Sequence, residues 1–121
     1  MAGSLTGRTA HGIAKALDAL KAFPGGFQSD GAAANVTLDD TYPAIWKYDP
    51  TGAARDVTLD VIATSKGLTR WIINAADAAE NLVVKNPAGA TIATLNQNES
   101  GVFFCDASSW ALVAIIPIAL S

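Results

Sequence analysis

The last third of the chain consists of short apolar runs separated by turn-forming residues, and this pattern constrains the fold more than any other feature. Four runs, at positions 82–84, 90–95, 101–105 and 110–116, are separated by segments rich in Asn, Asp, Gly, Pro and Ser. These residues favour turns because they accept positive φ, fix φ, or bond to their own backbone. The pattern predicts a series of β-strands joined by tight turns.

The same strand-like pattern begins near Asn35 and continues through the middle of the chain. Further strands are predicted at 36–38, 44–48, 56–61 and 69–74. In the third of these, apolar residues at 57, 59 and 61 alternate with polar residues that include Asp60, which predicts a sheet with one face in water. Together with the four later runs this makes eight candidate strands. The sequence therefore predicts an all-β fold, an antiparallel β-sandwich or jelly roll.

The first 35 residues follow a different pattern, which we call the N-terminal arm. Between positions 8 and 23 the apolar residues recur three and four positions apart, which places them on one face of a short helix. Pro24-Gly25-Gly26 ends this helix, and the Gly-containing stretch up to Asn35 predicts a flexible linker. We therefore divide the chain into an arm, residues 1–35, and a β-sandwich domain, residues 36–121. The candidate partner-binding residues all lie in the arm: Arg8, Ile13, Lys15, Leu17, Leu20, Lys21 and Phe23.

The arm has two alternative roles. A helix this short is marginal alone in water, so it needs a surface on which to lie. Its helical segment carries a net charge of +2, whereas the whole chain carries −3, so the remainder is acidic at −5. The arm is therefore either a tether to a partner or a cover for the apolar face of its own domain.

The polar residues assemble into no catalytic, cofactor or metal signature. His11 is the only histidine and lies in the arm, remote in sequence from any acidic cluster. Cys105 is the only cysteine, so an intrachain disulfide is excluded, and its apolar neighbours predict a buried side chain. Asp39 and Asp40 are assigned to a turn because adjacent carboxylates match no calcium-loop spacing. We expect no enzyme activity, no cofactor and no metal.

Two polar segments nevertheless have specific expected roles. Asp77 and Glu80 flank a hairpin connection and are the pair most suited to weak cation binding. Asp106 is expected to accept hydrogen bonds from the amides of Ser108 and Ser109, which returns the chain so that Trp110 packs over the strand before it.

Composition indicates the class of partner. Only 16% of the residues are charged and 50% are apolar, against roughly 25% charged in average soluble domains. The acidic balance excludes nucleic acid, and the apolar tail is too short to cross a bilayer. No signal peptide pattern is present at the N-terminus, so we expect synthesis in the cytoplasm. Because the run 110–116 is apolar in both phases of a strand, it predicts a second cover, which is either the N-terminal helix or another subunit.

Two segments resemble a module of tailed-bacteriophage virion proteins. They are ATLNQNESGVFFCDASSW at 93–110 and IINAADAAENLVV at 72–84. In that module a leucine, a polar turn, an aromatic strand, an aspartate, small residues and a tryptophan close a small β domain. It occurs in capsid decoration (cement) proteins, head fibres and tail fibres, and a chain this short is most similar to decoration proteins.

The resemblance implies a structural virion protein on the capsid surface, made in the host cytoplasm. Its partner would be the major capsid protein, and it would form a homo-oligomer, with a trimer preferred over a dimer. No nucleic acid or membrane partner is expected. The alternative is a tail- or head-fibre module that binds host-surface carbohydrate.

Overall fold

The structure, a computed structural model, describes residues 26–119. Within them the chain forms nine strands and one 3-10 turn, Ile62–Thr64, and no α-helix, so the all-β expectation is confirmed for this part. The strands are β1 Phe27–Gly31, β2 Val36–Thr37, β3 Ile45–Asp49, β4 Arg55–Thr58, β5 Thr69–Asn74, β6 Leu82–Lys85, β7 Thr91–Leu95, β8 Glu99–Cys105 and β9 Trp110–Pro117. No helix in the described range is long and apolar enough to span a bilayer.

The strands form two sheets between which the chain alternates. The five-stranded sheet has the order β1-β3-β5-β8-β9 and the four-stranded sheet the order β2-β4-β6-β7. Up to β6 each strand pairs in parallel with the next but one, so that Ile45 lies opposite Trp71 and Val57 opposite Val84. Strands β7, β8 and β9 then pair antiparallel with β6, β5 and β8. The first six strands thus make three successive two-strand coils.

The predicted antiparallel sandwich or jelly roll is wrong in strand direction. Four of the seven pairs of neighbouring strands are parallel. A parallel pair needs a long crossover between its strands, and here each crossover is a strand of the opposite sheet. The spacing of turn residues is about the same in both arrangements, since both change direction after every strand. Turn spacing therefore predicts where the strands lie but not which strands become neighbours.

Strand β1 occupies part of the stretch predicted as a flexible linker, and that prediction is wrong there. All five of its residues pair with β3. The indole Nε1 of Trp46 donates to the carboxylate of Asp30 at 2.8 Å, and the hydroxyl of Tyr48 donates to the carbonyl of Ala34 at 2.7 Å. These contacts join residues far apart in sequence, so local composition does not reveal them. Residues 1–25 of the arm, which include its predicted helix, lie outside the described residues.

The apolar core lies between the two sheets. Both sheets supply fully buried side chains at alternate strand positions, as a two-layer fold requires. Cys105 is among them, which confirms that its side chain is buried. The core consists of Leu38, Trp46, Tyr48, Val57, Leu59, Ile72, Leu82, Val84, Ala93, Leu95, Phe103, Cys105 and Trp110.

The alternation predicted beyond β4 holds only as far as Leu59. The strand ends at Thr58, and after Leu59 the apolar residue no longer faces the core. Asp60 is 5% exposed, whereas Val61 is 62% exposed. A buried carboxylate is costly unless it is paired and hydrogen-bonded. Asp60 turns inward because Arg70 of β5 lies there to bind it.

Arg70 closes one end of the fold, and every N–H group of its guanidinium donates a hydrogen bond. Its Nε and Nη2 donate to the two carboxylate oxygens of Asp60 at 2.9 and 2.6 Å. The other three N–H groups donate to backbone carbonyls at 2.7–2.8 Å, those of Asp39, Tyr42 and Pro43. All five guanidinium donors therefore have acceptors. The side chain ties β5 both to the loop before β3 and to the chain after β4.

The turn between β8 and β9 has the predicted structure. Asp106 Oδ1 accepts from the amides of Ser108 and Ser109, each at 2.8 Å. Ala107 takes a left-handed conformation at φ 81° inside this turn. Trp110 is buried in the core, and its indole Nε1 donates to the carbonyl of Asp60 at 2.8 Å. Both the turn and the packing of the tryptophan are thus confirmed.

We expect Arg70→Met to be strongly destabilising because it leaves the Asp60 carboxylate buried without its counter-ion. Removing one partner of a buried ion pair costs about 3–5 kcal/mol. The matched control is Lys85→Met, which removes the partner of Asp56 in a pair at 3.0 Å with both side chains partly in water. Exposed pairs contribute about 0–1 kcal/mol. Denaturant unfolding of both variants measures the difference, and equal losses would contradict the role assigned to Arg70.

Acid sensitivity should follow from the turn at Asp106. The backbone hydrogen bonds from Ser108, and then those from Ser109, lower the pKa of Asp106 below its ordinary value of 3.8. A carboxyl whose pKa is lowered on folding stabilises the fold above its unfolded pKa, and this stabilisation is lost as the pH falls through the folded pKa. We therefore expect Asp106→Ala to be less stable than the parent at neutral pH and to lose less stability on acidification. Urea unfolding across the acid range measures this, and parallel pH profiles would contradict it.

Candidate interaction surface

An unbroken apolar row crosses the outer face of the five-stranded sheet, the face turned away from the core. Residues directly opposite one another in neighbouring strands share a face. The row has one residue in each strand, and Phe27, at its first position, is 54% exposed while the other four are partly buried. Its members, in order across the sheet, are Phe27, Ile45, Trp71, Val102 and Ala114.

Further apolar side chains border the row, so the apolar area is broader than one residue. Ile73 and Ile116 share the next outward row and Phe104 lies on the other side. Lys47 is the charged residue closest to the row in that register. We call these eight apolar residues, the row with Ile73, Phe104 and Ile116, the outer-face patch. A patch of this kind on a sheet face marks a site that another element covers.

Trp71 is fixed at the centre of the outer-face patch. Its indole Nε1 donates to the hydroxyl of Ser100 at 2.9 Å. That hydroxyl in turn donates to the carbonyl of Ile116 at 3.0 Å, which links β5, β8 and β9. The polar end of the indole is thus satisfied within the sheet, and its ring is left as apolar surface.

Strand β9 forms an exposed edge beside this patch. It is eight residues long, carries no charged residue, and has β8 on one side and no strand of the described range on the other. Edge strands usually avoid pairing with other chains by being short or charged. The edge strand β2 is only two residues long and β1 carries Asp30, whereas β9 is long and uncharged and has only a bulge at Val113 and the terminal Pro117 to limit pairing.

A β-bulge makes β9 apolar in all directions. The register with β8 shifts between Val102 and Phe103, which leaves Val113 as the extra residue, 62% exposed. The strict alternation expected along 110–116 is therefore wrong beyond this point. Leu112 and Ile115 face the core side but remain 38% and 42% exposed, because the opposite sheet has one strand fewer and does not cover them.

A second concave feature lies at the end of the fold closed by Arg70. It is a cavity of about 650 Å³ with polar groups of both charges at its mouth, including Asp40 and Lys66, and with Tyr42 in its wall. Asp39 Oδ1 accepts from the amide of Thr41 at 2.9 Å and from its hydroxyl, which confirms the expected turn and lowers the pKa of Asp39. The Arg70 guanidinium also lines this cavity, but its donors are already occupied.

The structure gathers three carboxylates at one end of the five-stranded sheet. Asp77 and Glu80, which the sequence pairs, lie with Asp49 so that one oxygen of each is within 4.8 Å of the others. Sequence reasoning missed Asp49 because it ends β3, far from the other two along the chain. Glu80 Oε1 is buried and has no hydrogen-bond partner in the described structure. Such oxygens are the ligands that hard cations take, and as bare charges they repel.

The predicted partner-binding residues Arg8, Ile13, Lys15, Leu17, Leu20, Lys21 and Phe23 all lie outside the described residues, as does His11. The outer-face patch was not predicted as a site. Its signal in the sequence was the consecutive apolar run Trp71-Ile72-Ile73, which places large side chains on both faces of one strand.

We expect Asp77→Asn to stabilise the fold, because it removes one of three clustered negative charges. Relief of a like-charge contact at the surface is on the order of 0.5 kcal/mol. Thermal unfolding in the presence of a chelator measures the change, with Asp40→Asn, an exposed aspartate outside the cluster, as the control. A lower melting temperature for Asp77→Asn than for the control would contradict net repulsion within the cluster.

Comparison with protein-family models finds no match to this chain, and comparison with curated protein sequences finds none either.

Proposed function

We propose that this chain is a structural virion protein that decorates an assembled phage capsid and stabilises it through protein–protein contacts as a homo-oligomer. The phage setting comes from the resemblance carried by residues 72–84 and 93–110. The observation that carries the mode of action is strand β9, an uncharged edge strand with exposed apolar side chains on both faces of the sheet.

The surface of β9 suits association better than chemistry. Exposed Leu112, Val113 and Ile115 offer apolar area that gains free energy when water is removed from it. The free edge of the strand offers backbone donors and acceptors to a second strand, which adds direction to an otherwise non-directional contact. A second copy of the chain satisfies both, and because the same strand supplies both halves, this contact forms a two-fold dimer rather than the trimer that the resemblance favours.

Decoration requires no reactive group. A protein that bridges neighbouring capsid subunits adds buried area across their joints and raises the barrier to separating them. An oligomer does this more effectively than a monomer, because each further copy that binds does so at high effective concentration. The major capsid protein is the partner in this proposal, and the capsid surface is the location.

Oligomerisation through β9 is testable with two matched substitutions. Val113 and Val61 are equally exposed, at 62% each, but only Val113 lies on β9. We expect the parent to sediment as an oligomer at micromolar concentration and Val113→Lys to weaken association about tenfold or more, which corresponds to about 1.4 kcal/mol. Val61→Lys should sediment as the parent does.

A monomeric parent, or equal effects of the two substitutions, would contradict the β9 interface. Circular dichroism of each variant checks that the fold is retained. Cryo-electron microscopy of the virion tests the location separately, because density for this chain on the tail alone would reject capsid decoration.

The cavity beside Arg70 favours one alternative, a head- or tail-fibre module that binds host-surface carbohydrate. Tyr42 offers an aromatic wall, and Asp40 and Lys66 offer hydrogen-bonding groups to sugar hydroxyls. A glycan array combined with a capsid pull-down separates the two functions. Sugar binding that is lost in Asp40→Ala, without affinity for capsids, would reverse the ranking.

A further inference from the structure

The outer-face patch requires a cover that the described residues do not supply. Three of the five strands that carry it, β1, β3 and β5, pair in parallel. The other face of this sheet already packs on the four-stranded sheet. The outer face of the four-stranded sheet is polar, with Asp56 and Lys85 partly in water, so the apolar outer face of the five-stranded sheet is the one that lacks a cover in the described range. The row from Phe27 to Ala114 crosses all five strands without a charged residue.

We propose that the segment 9–23 of the same chain is this cover, and that it lies as a helix across the five strands along the row. The occupant is thus a named part of this protein, and the contact is made within one chain. This assigns the arm the second of its two alternative roles. The inference stands independently of capsid decoration.

The width of the five-stranded sheet matches the length of the predicted helix. Five neighbouring strands span four spacings, about 19 Å across the sheet. A helix of the length predicted for residues 9–23 is about 22 Å long. An amphipathic helix of this length therefore places its apolar stripe along the whole row.

The point at which the chain enters the sheet is also consistent with a helix that lies along the row. Phe27 is the first residue of the row and lies in the edge strand β1, so the arm joins the sheet where the row begins. Immediately before it, Gly26 takes φ 71°, a left-handed conformation that glycine adopts without strain and that allows the chain to turn sharply. A segment leaving Gly26 over the outer face starts at one end of the row and runs toward the other.

The position of each apolar residue follows from this entry point. With Phe23 near β1, Ile13 lies ten residues away along the helix, about 15 Å. Strand β8 lies three spacings from β1, about 14 Å, so Ile13 comes to rest over Val102. Leu20 and Leu17 then fall between them, over β3 and β5, where Ile45 and Trp71 present their side chains.

Disulfide trapping in the full-length chain tests the predicted position. Ile13→Cys with Val102→Cys should form an intramolecular disulfide in a glutathione buffer, because the two positions face each other. The control is Lys15→Cys with Val102→Cys, since position 15 lies on the opposite side of the helix. Native Cys105 remains in place because its side chain is fully buried. We expect at least about tenfold more intramolecular disulfide in the first pair than in the control, measured by mass spectrometry. Equal yields in the two pairs would overturn the proposal, and so would a disulfide-linked dimer.

A second pair of variants tests whether the contact covers the patch. Ala16 lies at the centre of the predicted apolar stripe and Ala22 on the opposite side, so Ala16→Asp and Ala22→Asp make the same chemical change in the two environments. Ala16→Asp should lower the melting temperature, increase binding of a hydrophobic dye and shift tryptophan emission to the red as Trp71 becomes wet. Ala22→Asp should leave all three measurements close to the parent. Equal melting temperatures with unchanged dye binding in both variants would overturn the proposal.

Discussion

The buried guanidinium of Arg70 is the interaction on which the rest of the fold depends. As far as β6 the chain crosses from one sheet to the other after every strand, and the crossings at one end converge on this side chain. Arg70 binds the loop before β3 through three carbonyls and the chain after β4 through Asp60. The carbonyl of Asp60 then accepts from Trp110 at the start of β9. One charged group in a dry environment therefore joins early, middle and late strands, and each hydrogen bond there is stronger than it would be in water.

Two apolar surfaces lack a cover within the described part of the chain, the outer-face patch and the edge of β9. The outer face of the four-stranded sheet is polar, with Asp56 and Lys85 partly in water, whereas the outer face of the five-stranded sheet is apolar. The antiparallel strands β8 and β9 then widen one sheet beyond the other, since the opposite sheet has four strands and this one has five. The widened sheet leaves β9 overhanging. The β9 edge thus follows from the topology, and the outer-face patch from the apolar residues that the strand register aligns.

The sequence predicts the strands well and their neighbours poorly, for a physical reason. Eight of the nine strands lie where apolar runs and turn residues place them, and the turn at Asp106 is predicted to the individual hydrogen bond, because these features depend on local chemistry. Strand β1 was missed because its partners are distant residues of β3. The inward turn of Asp60 was missed for the same reason, since only Arg70 explains it. Likewise, the outer-face patch depends on the register between five strands, and the spacing of apolar residues within one strand does not predict that register.

The two apolar surfaces differ in what they accept, and this separates their roles. The outer face presents side chains only, because the backbone groups within a sheet are already paired, so any apolar stripe of suitable length satisfies it. The edge of β9 presents backbone donors and acceptors as well as side chains, so a partner must be extended and in register. A segment with helical periodicity meets the first requirement, and a second strand meets the second. Cover from within the chain on the face therefore leaves the edge free for association between chains, and one small domain has room for both contacts.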